Sequence, residues 1–488
     1  VCVSLCFWPY RTGFLAYFVV VPFILFSGLA DGRGRVLLNS LIFGFCYFFG
    51  SLYWIMLLDR EQIAVPWLRL PAAVVLCLYL SVFMVFAGFA SRRIGKLGIP
   101  FEIALALAWG GVEYLRSLGP LGFPWASLGY SQTPYLAVVQ QAGVIGTYGI
   151  SAWVILINGL VARFLMTRRT AVLLVAAVVL VGPVVGGQIA LWSEQQGTTV
   201  PVALVQPNIP GSVKWSQSFR DSTMSLLAGM TYQAGDADLI IWPETAVPFH
   251  LKHSPGSIEA VTDLARRTGS HILLGFPDYE HVGEDIRFYN SATMFYPSGG
   301  VSDAYRKIHL VPFGEMIPFE DRIAALRRID LGEGDFSPGE DYTVFEASGR
   351  KFAVAICFES IYPSLLRQFV RRGATFIVNI TNDEWFGPSL GPHQHAQMAV
   401  MRAVECGVGI ARCANTGISM FVDPRGRVTS KTGLFTRQVL VGRVEAGEAD
   451  TPYLKVGPVL ETGMLMAVLA LIGASYLVRR QAGERRRP

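Results

Sequence analysis

Residues 351–360 read KFAVAICFES. The apolar run from Phe352 to Ile356 is too short for an ordinary helix and follows Gly349, which can turn the chain, so it reads as a buried strand. The strand ends on Cys357, with the carboxylate of Glu359 two residues on. Taken singly, such a cysteine is a small apolar side chain like any other, since free cysteines are among the most buried residues. Its surroundings decide the matter.

The same pattern recurs from about residue 200 to 450. VPVALVQPN (200–208), ADLIIWPE (237–244), SHILLGFP (270–277), SATMFYP (291–297), ATFIVNITND (374–383) and GISMFVD (417–423) read as strands, most of them bounded by Pro, Gly, Asn or Asp. Helical stretches are expected at 216–234, 257–268, 360–372 and 392–406, and glycine turns suggest hairpins within 291–307 and 342–358. This predicts a layered α/β domain with mixed sheets, large enough for its own core. Polar residues gather at the carboxyl ends of these strands: Glu244, Lys307, Cys357 with Glu359, and Asn382 with Asp383. Sites in α/β sheets favour that edge. An acid, a cation and a cysteine make a complete acyl-transfer set. The carboxylate takes the thiol proton, and the ammonium supports first the thiolate and then the oxyanion, with the N–H of Phe358 as a second donor.

Outside this block the chain is of another kind. Of its 488 residues 52% are hydrophobic and only 16% charged, too apolar for a soluble protein of this length. Apolar runs at about 13–30, 36–58, 71–90, 100–117, 135–166, 171–192 and 459–478 predict some seven membrane spans, and the opening VCVSLCFWPY suggests an eighth in the full product. The run at 135–166 is longer than one span needs and is interrupted by GTYG. The fold expected is therefore a transmembrane helical bundle (1–195), an α/β domain (196–452), and a final helix with a basic tail (453–488). Arg33 and Arg35, then Arg92, Arg93 and Lys96, then Arg168 and Arg169, and finally Arg479, Arg480 and Arg485 to Arg487 fall at alternate crossings, which marks those ends as cytoplasmic and the α/β domain as external. Topology accounts for most of the net charge of +5, so nucleic acid is not an expected partner. Of the seven cysteines, Cys2, Cys6, Cys46 and Cys77 lie in apolar runs, and Cys357, Cys406 and Cys413 cannot all pair with one another. We expect Cys406 and Cys413 to be structural thiols.

Other motifs are weaker. His393 and His395 lack a third ligand at zinc-site spacing, so no metal is expected. Glu113 and Arg116 stand at i and i+3 near a span end, where a charge must be paired or face water, so either an ion pair or a headgroup contact is possible.

Together WPET with Glu244, YRKIHLVPFGE with Lys307 and Glu315, and ICFES with Cys357 and Glu359 resemble the Glu-Lys-Cys motifs of the nitrilase superfamily. With HLVPFGE, NDEWFG and the membrane-half GFPWASLGYSQ, nearly the whole chain resembles the apolipoprotein N-acyltransferase family. The resemblance implies an α-β-β-α sandwich on the periplasmic face of the bacterial inner membrane. It implies acyl transfer from a phospholipid, usually phosphatidylethanolamine, to the α-amine of a diacylated apolipoprotein, without a cofactor. By that similarity Cys357 is the nucleophile, Glu244 the general base and Lys307 the oxyanion cation, with Glu315 assisting them and Glu359 supporting the nucleophile loop. Trp215 matches a family tryptophan on an arm that meets the lipids. Asn290, Trp385 and Asn415 match positions near the site, and Trp125 and Arg116 lie by similarity near lipid entry. Phe358 stands where the family often has tyrosine; its backbone N–H remains, but a phenolic hydroxyl does not. A monomer is expected. A tethered amidase with water as acceptor, or a transporter with an accessory domain, would explain fewer of these motifs.

Overall fold

The structure, a computed structural model, describes residues 3–7, 11–28, 32–58, 66–192, 197–214, 217–320, 322–323 and 336–484. By internal contacts the chain forms two units, Val1–Met56 with Trp67–Glu194 and Thr451–Pro488, and Leu57–Pro66 with Gln195–Asp450. Trp215, Cys2 and Arg485 to Arg487 lie outside the described residues.

The first unit is helical: α1 (Val21–Gly28), α2 (Arg33–Leu52), α3 (Arg69–Ile94), α4 (Phe101–Leu115), α5 (Leu136–Val139), α6 (Ala142–Thr167) and α7 (Thr170–Trp192). Five helices among the described residues are long and apolar enough to cross a membrane: Gly34–Leu57, Arg69–Leu97, Ala142–Thr167, Thr170–Trp192 and Pro452–Val478. Two of the expected spans are shorter. The run at 13–30 yields an apolar helical stretch, Gly13–Ser27, in which a 3₁₀ segment, Gly13–Tyr17, ends before α1 starts at Val21. The run at 100–117 yields α4, whose 15 residues reach only about 22 Å of a core roughly 30 Å thick. The GTYG interruption is real. Gly146 inside α6 has φ +66° and ψ 178°, and a Cβ there would lie 2.4 Å from the Tyr453 ring, so both the backbone and the packing require glycine.

Among its described residues the second unit carries twelve strands in two six-stranded sheets. The first half of the block supplies β1 (Thr198–Gln206), the short α8 (Gly211–Lys214), α9 (Arg220–Thr231), β2 (Leu239–Ile241), α10 (Pro255–Thr268), β3 (His271–Val282), β4 (Asp285–Phe295) and β5 (Tyr305–Arg306). The second supplies β6 (Val344–Ala347), β7 (Arg350–Ile356), α11 (Pro363–Arg371), β8 (Phe376–Thr381), α12 (Gly391–Cys406), β9 (Gly409–Ala414), β10 (Met420–Val422), β11 (Val428–Lys431) and β12 (Gln438–Ala446). The chain then returns to the first unit as α13 (Pro452–Glu484).

The sheet orders are β12-β1-β2-β3-β4-β5 and β11-β10-β9-β8-β7-β6. Each has three parallel strands at its centre, β1-β2-β3 and β7-β8-β9, flanked by antiparallel ones. The sheets face each other closely: the Cys413 thiol on β9 donates to the carbonyls of Val205 on β1 and Ile241 on β2. Helices cover the outer faces. Leu227, Met230, Val261 and Leu264 of α9 and α10 join Trp242, Ile240 and Leu274 in one apolar cluster over the first sheet. Leu365, Leu366 and Phe369 of α11 are buried, as is nearly all of α12. The result is the expected α-β-β-α sandwich. Among the described residues Cys46, Cys77, Cys357, Cys406 and Cys413 form no disulfide.

Candidate active site

The site is built from loops that leave the carboxyl ends of β2, β5, β7, β8 and β9. After β2, the WPET turn folds back on β3, and a Cβ at Gly275 would stand 2.9 Å from the Glu244 Cα. Only glycine permits that approach. Glu244 is 6% exposed; its Oε1 accepts from Asn290 Nδ2 at 2.8 Å and its Oε2 from the Asn382 N–H at 2.8 Å. Lys307, 1% exposed, follows β5 and donates to Glu315 Oε1 at 2.8 Å, with Glu244 Oε1 at 3.6 Å. Asn290 Nδ2 also reaches Glu315 Oε1 at 3.1 Å, so one amide ties the two carboxylates together. Glu315 is fixed in turn by the Val311 N–H at 2.9 Å on its Oε2.

Cys357 directly follows β7 with φ +51°, a left-handed conformation unfavourable for a side chain with a Cβ. Such a turn lifts the thiol off the strand. Glu359, fully buried, holds that turn. Its Oε2 accepts from the Ile356 N–H at 2.7 Å, and its Oε1 accepts from Tyr305 Oη at 2.7 Å, the Ile308 N–H at 2.7 Å and the His309 N–H at 3.1 Å. One carboxylate thus joins the strand before Cys357 to the loop on both sides of Lys307. Phe358 is buried with its ring edge-on to Tyr362.

The electrostatics follow from burial. It opposes the Lys307 charge, but Glu315, Glu244 and Cys357 outweigh it and raise the ammonium's pKa. Burial, joined by the Glu244 charge, pushes the Cys357 thiol up against the pull of Lys307. Both effects favour the thiol over the thiolate at Cys357. Burial pushes Glu359 up to about 7, restrained by the hydrogen bond from Ile356 and by the charge of Lys307.

Asn415, 2% exposed, exchanges hydrogen bonds with the backbone of Ile209, at 3.0 Å to its Oδ1 and 2.8 Å from its Nδ2, and reaches Asn382 Oδ1 at 3.2 Å. It positions the segment that enters α8. Trp385 lies half-buried in the turn after β8. Arg116 and Trp125 belong to the helical unit. Arg116 is 1% exposed and donates to the carbonyls of Phe123 and Trp125 and to Ser127 Oγ, while Glu113 accepts from the Leu128 N–H and Trp109 Nε1. Both charges serve the 123–128 loop. Trp125 is buried against Trp54.

Two features did not stand out in the sequence. Lys214, 3% exposed, donates to Thr245 Oγ1 at 2.5 Å and to the Glu244 carbonyl at 3.3 Å, so a second buried ammonium braces the Glu244 turn. His395 is fully buried beneath Cys357. Its Nε2 stands 3.1 Å from the Cys357 carbonyl oxygen and its Nδ1 2.8 Å from Asp383 Oδ1, while Arg412 Nη2 donates to Asp383 Oδ2 at 2.7 Å. The GPHQH stretch that offered no metal site supplies this contact.

Comparison with known proteins agrees with the architecture. Residues 201–452 match the carbon-nitrogen hydrolase family, and residues 1–160 match the apolipoprotein N-acyltransferase N-terminal domain. The chain is 36% identical over 457 residues to an apolipoprotein N-acyltransferase of Geobacter metallireducens, covering 91% of this chain and 88% of that protein. It is 34% identical over 401 residues to one of Methylococcus capsulatus, covering 80% and 78%. Among solved structures it is similar to Saccharomyces cerevisiae Nit3, a member of branch 10 of the nitrilase superfamily, at 22% identity and a TM-score of 0.40, covering 52% of this chain and 93% of that one. An amidase from Nesterenkonia sp. gives 19% identity and a TM-score of 0.41, covering 54% and 94%.

Proposed function

The chain belongs to the apolipoprotein N-acyltransferase family, and on that premise we propose that it moves an acyl chain from a membrane phospholipid to the α-amine of a diacylated apolipoprotein through a thioester on Cys357. The observation that carries the mechanism is the charged, buried Lys307 held between Glu315 and Glu244 beside a cysteine in a left-handed turn. The Cys357 sulfur attacks the ester carbonyl while Glu244 takes the thiol proton, and the Lys307 ammonium meets the oxyanion as it forms. Collapse breaks the ester C–O bond, and Glu244 returns the proton to the departing lysophospholipid alkoxide. In the second half the apolipoprotein amine attacks the thioester, gives its proton to Glu244, and expels the thiolate, which the same proton restores to a thiol.

Glu315 and Asn290 hold the base and the cation in register, Glu359 holds the two catalytic loops together, and Phe358 offers its N–H to the oxyanion. Trp215, Trp385, Asn415, Trp125 and Arg116 are proposed to serve the lipid substrates or the segments that receive them. The donor is proposed to be phosphatidylethanolamine and the enzyme a monomer of the inner membrane. Residues 1–195 and 453–488 form its membrane part, with 196–452 on the periplasmic side, as the basic loops suggest.

Intact mass measurement tests the covalent step. With phospholipid alone, the wild-type chain should gain the mass of one acyl group, removable by hydroxylamine, and Cys357→Ala should gain none. Equal masses for the two would sink the thioester. Release of free fatty acid, with no transfer to a diacylated lipopeptide, would instead make water the acceptor.

A further inference from the structure

Arg93 stands one residue from the end of α3, a helix long and apolar enough to span a membrane, yet it is only 5% exposed. Its Nη2 donates to Tyr476 Oη at 2.6 Å, and its guanidinium lies 4.0 Å from the Tyr476 ring centre and 5.5 Å from that of Phe89. The donors on Nε and Nη1 have no partner among the described residues, and no described carboxylate pairs with it. A helix carboxyl end favours cations, which explains why basic residues collect here. It does not explain a buried guanidinium whose donors reach no carbonyl, because a charge withdrawn from water requires a counter-charge or acceptors.

Arg93 lines a cleft with Val36, Leu37, Phe89, Arg92 and Lys96. Three cations therefore share one opening at the end of a span, with apolar walls below them. The cleft holds about 20 Å³, room for an oxygen but not for a whole headgroup, so an anion would sit across its mouth with one corner inserted.

We propose that this cleft binds the phosphate of an anionic membrane lipid, with Arg93 taking one oxygen inside and Arg92 and Lys96 meeting the others at the rim. The apolar walls suit the glycerol end of a lipid better than a fully hydrated ion. The site belongs to the helical unit and is independent of the cysteine chemistry.

The experiment uses the full chain, delipidated in detergent and titrated with phosphatidylglycerol while native mass spectra count bound lipid. Arg93→Gln and the rim double variant Arg92→Gln/Lys96→Gln are compared with wild type. The tightest lipid should be held about tenfold more weakly by either variant, as expected for loss of a charge-assisted hydrogen bond, with thioester formation at Cys357 unchanged. Should Arg93→Gln not fold, the rim variant decides alone, since its two side chains are half-buried and exposed. Equal phosphatidylglycerol affinity in wild type and the rim variant overturns the proposal. Full displacement of the lipid by millimolar inorganic phosphate overturns the lipid assignment.

Discussion

At the scale of the residue, Glu244 acts on Cys357 in two opposed ways. As a charge it disfavours the thiolate, and together with burial it raises the thiol's pKa. As the proposed base it removes the thiol proton during attack. Glu244→Gln separates these effects. Without the charge, the thiolate forms at lower pH, so alkylation of Cys357 by iodoacetamide should show its rise at lower pH than in wild type. Without the base, acyl transfer should fall about 10²- to 10⁴-fold, the usual range for general base catalysis. An alkylation profile that moves to higher pH, or a rate within tenfold of wild type, contradicts the assignment. Glu359 gives a second test by its own titration. Its folded value of about 7 lies above the roughly 4.3 of an unfolded glutamate, so the folded chain holds that proton more tightly. The stability this contributes is complete below the unfolded value and is lost as pH rises through about 7. Glutamine does not titrate. Between pH 5 and 8 the melting temperature of wild type should therefore fall relative to that of Glu359→Gln, and parallel curves would show that the carboxylate titrates elsewhere.

At the scale of the element, the turn after β7 joins strand to chemistry. Its left-handed residue is the proposed nucleophile, and His395 on α12 reaches under it to the Cys357 carbonyl oxygen. Asp383 and Arg412 hold the imidazole from behind. Burial and the Arg412 charge lower its pKa, while the Asp383 carboxylate opposes them, and the ring's part is to hold the shape of the turn. His395→Ala should reduce the acylation rate about tenfold, the worth of one buried hydrogen bond, while the phospholipid KM stays near its wild-type value. His395→Gln, whose amide N–H can reach toward the same carbonyl, should recover part of that loss. An unchanged rate in the alanine variant would leave the turn held by Glu359 and by Ser360, whose Oγ donates to the Cys357 carbonyl at 3.0 Å. The sequence could not reveal this link. Cys357 and His395 lie 38 positions apart on different elements, and only the packing of α12 under the turn brings them together. Glu244 and Cys357 were visible because each follows an apolar strand, a local signal, whereas Lys307 follows the short polar β5 and was legible only as the end of the hairpin read at 291–307. β9 was missed for the opposite reason: GIARCA buries Arg412 within a strand, which apolar periodicity does not anticipate and only the pairing with Asp383 and Asn379 allows. Strand β4 begins at Asp285, earlier than its apolar core, because the β3-β4 hairpin extends to an exposed, polar tip.

At the scale of the whole molecule, composition announced a membrane part and a layered α/β part in one chain, and both are present. Length was the weaker guide, since the runs at 13–30 and 100–117 look like spans until the break before Val21 and the short α4 are seen. The union of the two parts has a consequence for the proposed reaction. Donor and acceptor are both lipid-anchored, and drawing an acyl chain into water costs about 0.8 kcal/mol per CH₂. For a sixteen-carbon chain the sum is on the order of 12 kcal/mol, comparable to the barrier reduction many enzymes achieve in total. A soluble enzyme with the same cysteine would meet that cost on every turnover, whereas one held by apolar helices meets both substrates within the bilayer. Enzyme and phospholipid reconstituted in the same vesicles as a diacylated lipopeptide should therefore transfer acyl chains far faster than a mixture in which the lipopeptide sits in separate vesicles, at equal total concentrations. Detergent above its critical concentration, by letting the lipids exchange, should abolish the difference. Equal rates in the two vesicle arrangements would mean that the chain extracts a substrate through water, and the membrane helices would then need another explanation.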